Sequence, residues 1–156
     1  FFTFLDWSKD TLGASYHIRQ ILLALGSGGV LGVGLGVSRQ KYSYLPEAMT
    51  DSIFAIIAEE LGFIGAIVLI VFFLFIFYRG IKIALSAQDK FGQLLACGIV
   101  SILAIQTFLN LSSMVALTPL TGVPLPFISF GGSSLVVHLA SVGILLNISC
   151  YPQVRK

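Results

Sequence analysis

Three stretches of the chain stay apolar over more residues than a soluble helix needs. Leu61 to Tyr78 carries no charge and is bounded by Glu60 and Arg79; with the turn before it, this predicts a membrane-crossing helix over about 52–78. A second crossing is predicted over about 91–114 and a third over about 133–150. No Asp, Glu, Lys or Arg occurs between Lys90 and Arg155, which leaves room for two spans of about 20 residues each. Arg79, Lys82, Asp89 and Lys90 mark a short polar loop between the first two. Ahead of the third, Thr118-Pro-Leu-Thr-Gly-Val-Pro-Leu-Pro-Phe-Ile-Ser-Phe-Gly-Gly-Ser-Ser134 holds three prolines, which rule out a regular helix. Irregular backbone at membrane depth is tolerated only where protein or a water-filled cavity surrounds it, so this loop is expected to dip into the bundle.

The N-terminal third reads differently. Residues 6–51 are mixed in composition, with eight charges and no run long enough to span. Ile18, Ile21, Leu22 and Leu25 recur at i, i+3, i+4 and i+7 while His17, Arg19 and Gln20 fall off that stripe, which predicts a short amphipathic helix lying at the membrane interface. Next comes Gly26-Ser-Gly-Gly-Val-Leu-Gly-Val-Gly-Leu-Gly36, six glycines in eleven residues. Its register fits neither common nucleotide-binding glycine motif. Two readings stay open: a tightly turned connector, or backbone amides lining a pocket for an anionic group such as a pyrophosphate. Residues 1–5 read as the end of a preceding transmembrane helix, which makes the chain the C-terminal part of a larger protein.

Composition supports the membrane assignment. Hydrophobic residues make up 56% and charged residues 10%, against about a quarter charged in soluble domains. A net charge of +2 gives no nucleic-acid signature. Cys97 and Cys150 sit in apolar runs without ligand spacing and read as small hydrophobes. Gln106 and Asn110 lie four apart on one helical face, as interhelical hydrogen bonders or as substrate contacts; His138 reads as a packed, hydrogen-bonded histidine. Arg79, Lys82, Lys90, Arg155 and Lys156 on one side outnumber Lys9, Arg19, Arg39 and Lys41 on the other. The positive-inside rule then makes the first side cytoplasmic and turns residues 6–51 outward.

The densest chemistry is at the mouth of the first long apolar run, where Glu47, Asp51, Glu59 and Glu60 stand within fourteen residues of one another. Carboxylates are costly at a membrane boundary. Thr50, Asp51 and Ser52 all suit a helix N-cap, and an acid there suits the helix dipole. Glu47, Asp51 and Glu59 share a stripe if the helix begins at Pro46; Glu60 points about a hundred degrees away. Glu59 and Glu60 read as interfacial anchors or as partners of cations elsewhere.

Three segments together resemble one family: Leu45-Pro-Glu-Ala-Met-Thr-Asp-Ser-Ile-Phe-Ala-Ile-Ile-Ala-Glu-Glu-Leu-Gly62, the upstream Gly28–Gly36 run with Gln40-Lys41, and the downstream Pro124-Leu-Pro-Phe-Ile-Ser-Phe-Gly-Gly-Ser-Ser134. They are similar, in order and spacing, to the SEDS proteins of shape, elongation, division and sporulation, which include the FtsW and RodA types. One departure is Ser52, where Phe is common in the family. The resemblance implies the last third of an all-α, ten-helix bundle in the bacterial inner membrane: a large outer loop, then three crossings. It implies a peptidoglycan glycosyltransferase that polymerises lipid II into undecaprenyl-linked glycan, partnered by a class B penicillin-binding transpeptidase. Asp51 falls on the family's catalytic aspartate. Glu47, Arg39, Gln40 and Lys41, with Ser129, Gly131 and Ser133 of the downstream motif, are the expected supporting or substrate-binding residues. No cofactor is identified; a divalent cation such as Mg, held by Asp51 and Glu47, is the alternative to Arg39 or Lys41 for stabilising the pyrophosphate. A flippase for lipid-linked precursors and a scaffold recruiting the transpeptidase are the competing functions.

Overall fold

The computed structural model describes residues 14–34, 36, 52–119 and 122–150. Asp51, Glu47, Arg39, Gln40 and Lys41 lie outside the described residues, as do residues 1–5 and the cations Arg155 and Lys156. Among the described residues four helices follow in order: α1 (Ala14–Ser27), α2 (Ile53–Ser86), α3 (Lys90–Met114) and α4 (Gly132–Ser149). No strand element is present among the described residues. The last three are long and apolar enough to cross a membrane. Their outer faces carry exposed Phe63, Val68, Phe72, Phe75, Phe108 and Val136, the arrangement expected where lipid or neighbouring helices replace water as the solvent.

α2 is the hub, in contact with α1, α3 and α4. Near its start, Ile21 and Ala24 of α1 pack with Phe54, Ala55, Ala58 and Ala66 of α2, Met114 at the end of α3, and Leu125 of the proline loop. The α1 stripe therefore faces the bundle, with Ile18 and Ile21 buried and Arg19 exposed. At the other end, Ala84, Ala96, Val100 and Leu145 form a second, smaller core. Small residues set its closeness: a Cβ on Gly80 would come 2.5 Å from Val100 Cγ2.

α2 extends past Tyr78 to Ser86, so Arg79 and Lys82 are helical and the polar loop predicted over 79–90 shrinks to the turn before Lys90. The cause is the Gly80, Ala84 and Ala87 stripe, buried against α3, which continues the helix contact while the long cationic side chains stay exposed. Asp89 then caps α3, its carboxylate accepting from Gly92 N at 2.9 Å.

α3 ends in a Schellman-type turn, with Leu117 N donating to Ser112 O at 2.9 Å and Ala116 N to Ser113 O at 3.1 Å. The left-handed position is filled by Ala116, at φ 57°, where glycine is the usual residue. Ala116→Gly is therefore expected to stabilise the protein by about 1 kcal/mol. A thermal melt in detergent checks this; a lower melting temperature would contradict the assignment.

Candidate functional site: a broken helix and its glycine joint

Gly62 interrupts α2 with φ 70°, ψ −168°, a region open essentially to glycine alone. A continuous helix would pair Phe63 N with Glu59 O and Ile64 N with Glu60 O. The break opens both bonds, and the glycine-rich segment closes all four groups. Phe63 N donates to Gly29 O at 3.0 Å and Ile64 N to Val30 O at 3.4 Å; Val33 N donates to Glu59 O at 3.0 Å and Gly34 N to Glu60 O at 3.1 Å. Where water does not stand in for a lost partner, such exchange is the condition for a broken helix.

The glycines are there for approach distance. A Cβ on Gly28 would collide with Ala58 O, one on Gly32 with Glu60 O, and one on Gly62 with Gly32 N. Of the two readings of this segment, the connector is the one these contacts satisfy: the Gly32, Val33 and Gly34 amides are spent on carbonyls rather than turned toward an anion.

The joint fixes the acids. Glu59 is 4% exposed because the Gly28 backbone lies against Ala58 and Glu59; this corrects its reading as an anchor standing in the interface and leaves its reading as a partner of cations elsewhere. Glu60 is half-buried, with Oε1 enclosed and no hydrogen-bond partner among the described residues. The N-cap position falls on Ser52, fully buried and without a side-chain cap bond. Asp51 is the residue just before it in the chain. Between break and cap lie only residues 53–61, about 13 Å of helix, so α2 begins as a short half-helix held at the joint. Beside the break an apolar groove of about 320 Å³ is lined by Leu25, Gly29, Phe54, Ala58, Phe63 and Ile67.

The proline loop closes the same end of the bundle. Leu125 and Pro126 are fully buried, so the loop does dip among the helices. Ser129 Oγ accepts from Leu125 N at 2.8 Å, tying the turn shut, and Phe127 takes φ 66°. Asn110 Nδ2 donates to Val123 O at 2.8 Å; Gln106 Oε1 lies 3.0 Å from His138 Nε2, within hydrogen-bond distance. The Phe127 ring stands 5.4 Å from the imidazole. Gln106, Asn110 and His138 are thus interhelical and helix-to-loop fasteners. Gly131 is the N-cap position of α4, its carbonyl accepting from Leu135 N at 3.0 Å and from Ser134 Oγ at 2.9 Å. Ser133 is exposed in the first turn. Sequence reasoning missed the Gly62 break; its signal was a glycine two residues past a pair of acids inside an otherwise helical run.

These features define an all-helical, multi-pass membrane protein built on a broken helix and a buried re-entrant loop. The profile of the FtsW/RodA/SpoVE family, described as cell cycle protein, matches residues 1–153, and the chain belongs to that family. It is 50% identical over 149 residues to the stage V sporulation protein E of Bacillus subtilis, covering 96% of this chain and 41% of that protein. It is 50% identical over 146 residues to the probable peptidoglycan glycosyltransferase FtsW of Geobacter metallireducens, covering 94% and 39%. A chain solved in a peptidoglycan synthase complex that coordinates polymerization and crosslinking superposes with a TM-score of 0.77 at 28% identity, over 96% of this chain and 40% of that one. The chain thus spans about two fifths of the length of these relatives.

Proposed function

We propose that this chain is part of a peptidoglycan glycosyltransferase that polymerises lipid II on the outer face of the bacterial inner membrane. The observation that carries the reading is the 50% identity, over 94% of the chain, to a relative named as a probable peptidoglycan glycosyltransferase. The reaction joins a sugar hydroxyl of one lipid-linked disaccharide to the anomeric carbon of another. Asp51 is the general base: it takes the hydroxyl proton as the oxygen attacks, and the lipid pyrophosphate leaves with the electron pair of the broken bond. Arg39 and Lys41 stabilise the departing charge, with Glu47 and Gln40 in support. A divalent cation, were one used, would be held by Asp51 and Glu47 and would supply the positive charge that offsets the pyrophosphate in place of Arg39 and Lys41; loss of activity on chelation distinguishes the two. Ser129 serves through the re-entrant loop, and Gly131 and Ser133 through the start of α4. The apolar groove beside the break suits a polyisoprenoid tail, since apolar burial is its only chemistry. A class B penicillin-binding transpeptidase is the expected partner.

The broken helix, together with the intramembrane Gln106, Asn110 and His138, also fits a pathway for flipping lipid-linked precursors. Purified full-length protein, supplied with lipid II in detergent, separates the readings. Glycan polymer formed without any membrane gradient is expected. Flipping in liposomes with no polymer would favour transport, and neither activity would leave a scaffold that recruits the transpeptidase.

A further inference from the structure

At the end of the bundle remote from the glycine joint, the molecule carries a cationic recess that the proposed reaction does not use. Arg79, Lys82, Ile83 and Ser86 of α2 and Ser149 of α4 line a pocket of about 340 Å³. The helix geometry explains why these residues converge. Gly80, Ala84 and Ala87 form the stripe turned to α3; residues 79, 82, 83 and 86 are centred about a hundred degrees around the helix from it, on the flank where Leu145 and Ile148 of α4 pack into the same small core. Ser149, one turn beyond Leu145, completes the rim.

The charge in this recess is uncompensated by acids among the described residues. Neither Arg79 nor Lys82 forms an ion pair there; Lys82 Nζ sits 5.4 Å from the Tyr78 ring centroid, a contact that leaves its N–H groups open to a further acceptor. Asp89, the nearest acid in sequence, is engaged by Gly92 N in the α3 cap. The hydroxyls of Ser86 and Ser149 donate to Ile83 O and Leu146 O, so they offer lone pairs or, on rotation, a donor. Two full positive charges also exceed the roughly half-unit negative end of each helix dipole.

Depth and surroundings decide what anion fits. Residues 63–86 rise about 36 Å, so Arg79 and Lys82 come at the level where a hydrocarbon core of about 30 Å gives way to headgroups. Just inside them, Phe75, Tyr78 and Leu146 are exposed and offer an apolar surface to acyl chains. We infer that the Arg79–Lys82–Ser149 recess binds the phosphodiester of an anionic phospholipid headgroup, with the acyl chains laid along the α2–α4 flank. Basic recesses between membrane helices are suited to this class of ligand. The inference is independent of the glycosyltransferase reading.

Native mass spectrometry of the full-length protein in nanodiscs of phosphatidylglycerol or phosphatidylcholine tests it. Retained phosphatidylglycerol is expected for the wild type. Arg79→Gln with Lys82→Gln should lower that retention about thirtyfold, the scale of removing two interfacial charges. Ser149→Phe, which fills the recess and keeps both charges, should lower it as well, and Lys90→Gln should not. Helical content by circular dichroism confirms that each variant is folded. Retention unchanged by Ser149→Phe would show diffuse surface attraction and overturn the recess. Equal retention of both lipids would overturn the charge selectivity, and displacement by millimolar inorganic phosphate would overturn the lipid assignment in favour of a soluble anion.

Discussion

Gly62→Ala in the full-length protein is expected to cost about 3 kcal/mol or more. A Cβ there meets a backbone region costing about 1–3 kcal/mol for other residues and collides with Gly32 N. The escape is a continuous α2, in which Phe63 N and Ile64 N return to Glu59 O and Glu60 O. That relieves the strain but gives up the bonds of the Val33 and Gly34 amides and of the Gly29 and Val30 carbonyls, at about 0.5–1.5 kcal/mol for each bond lost. The variant should therefore melt lower and show faster hydrogen exchange at Val33 and Gly34. Glycan polymerisation should fall with it, because the half-helix that leads to Asp51 is then re-aimed. Melting and exchange at the wild-type values would mean that the break is not held by the glycine segment.

The membrane helices were legible because apolar length is a local property: each span could be counted without knowing its neighbours. Their ends were less so. Arg79 and Lys82 read as loop, yet the small-residue stripe Gly80–Ala84–Ala87 keeps α2 wound beneath them. The buried proline loop was also readable, since prolines bar a helix and apolar composition bars water. The joint was not. Six glycines in residues 26–36 signal close approach without saying to what, and Gly62 reads as one more helix residue until its partner backbone is in place. Glu59 shows the same limit: as a carboxylate near an interface it reads as an anchor, and only the packing of Gly28 across Ala58 and Glu59 buries it. Gln106 and His138, thirty-two residues apart, needed the fold to be paired, although polar groups at membrane depth already called for partners.

Asp51→Asn carries the other large expected effect. Asparagine keeps the size of the side chain and its ability to begin a helix but cannot accept the acceptor hydroxyl's proton. With the N-cap at Ser52, the variant should fold and melt like the wild type, so that a loss of rate reports chemistry rather than stability. Glu47→Gln should lose less; an equal loss would point to a metal or proton shared by the two carboxylates. The decisive comparison is the initial rate of glycan synthesis from lipid II by detergent-purified full-length protein, wild type against Asp51→Asn, with melting curves recorded on the same samples. A fall of about 10² to 10⁴ at unchanged melting temperature is predicted for a lost general base. A rate within about twofold of the wild type would contradict Asp51 as that base.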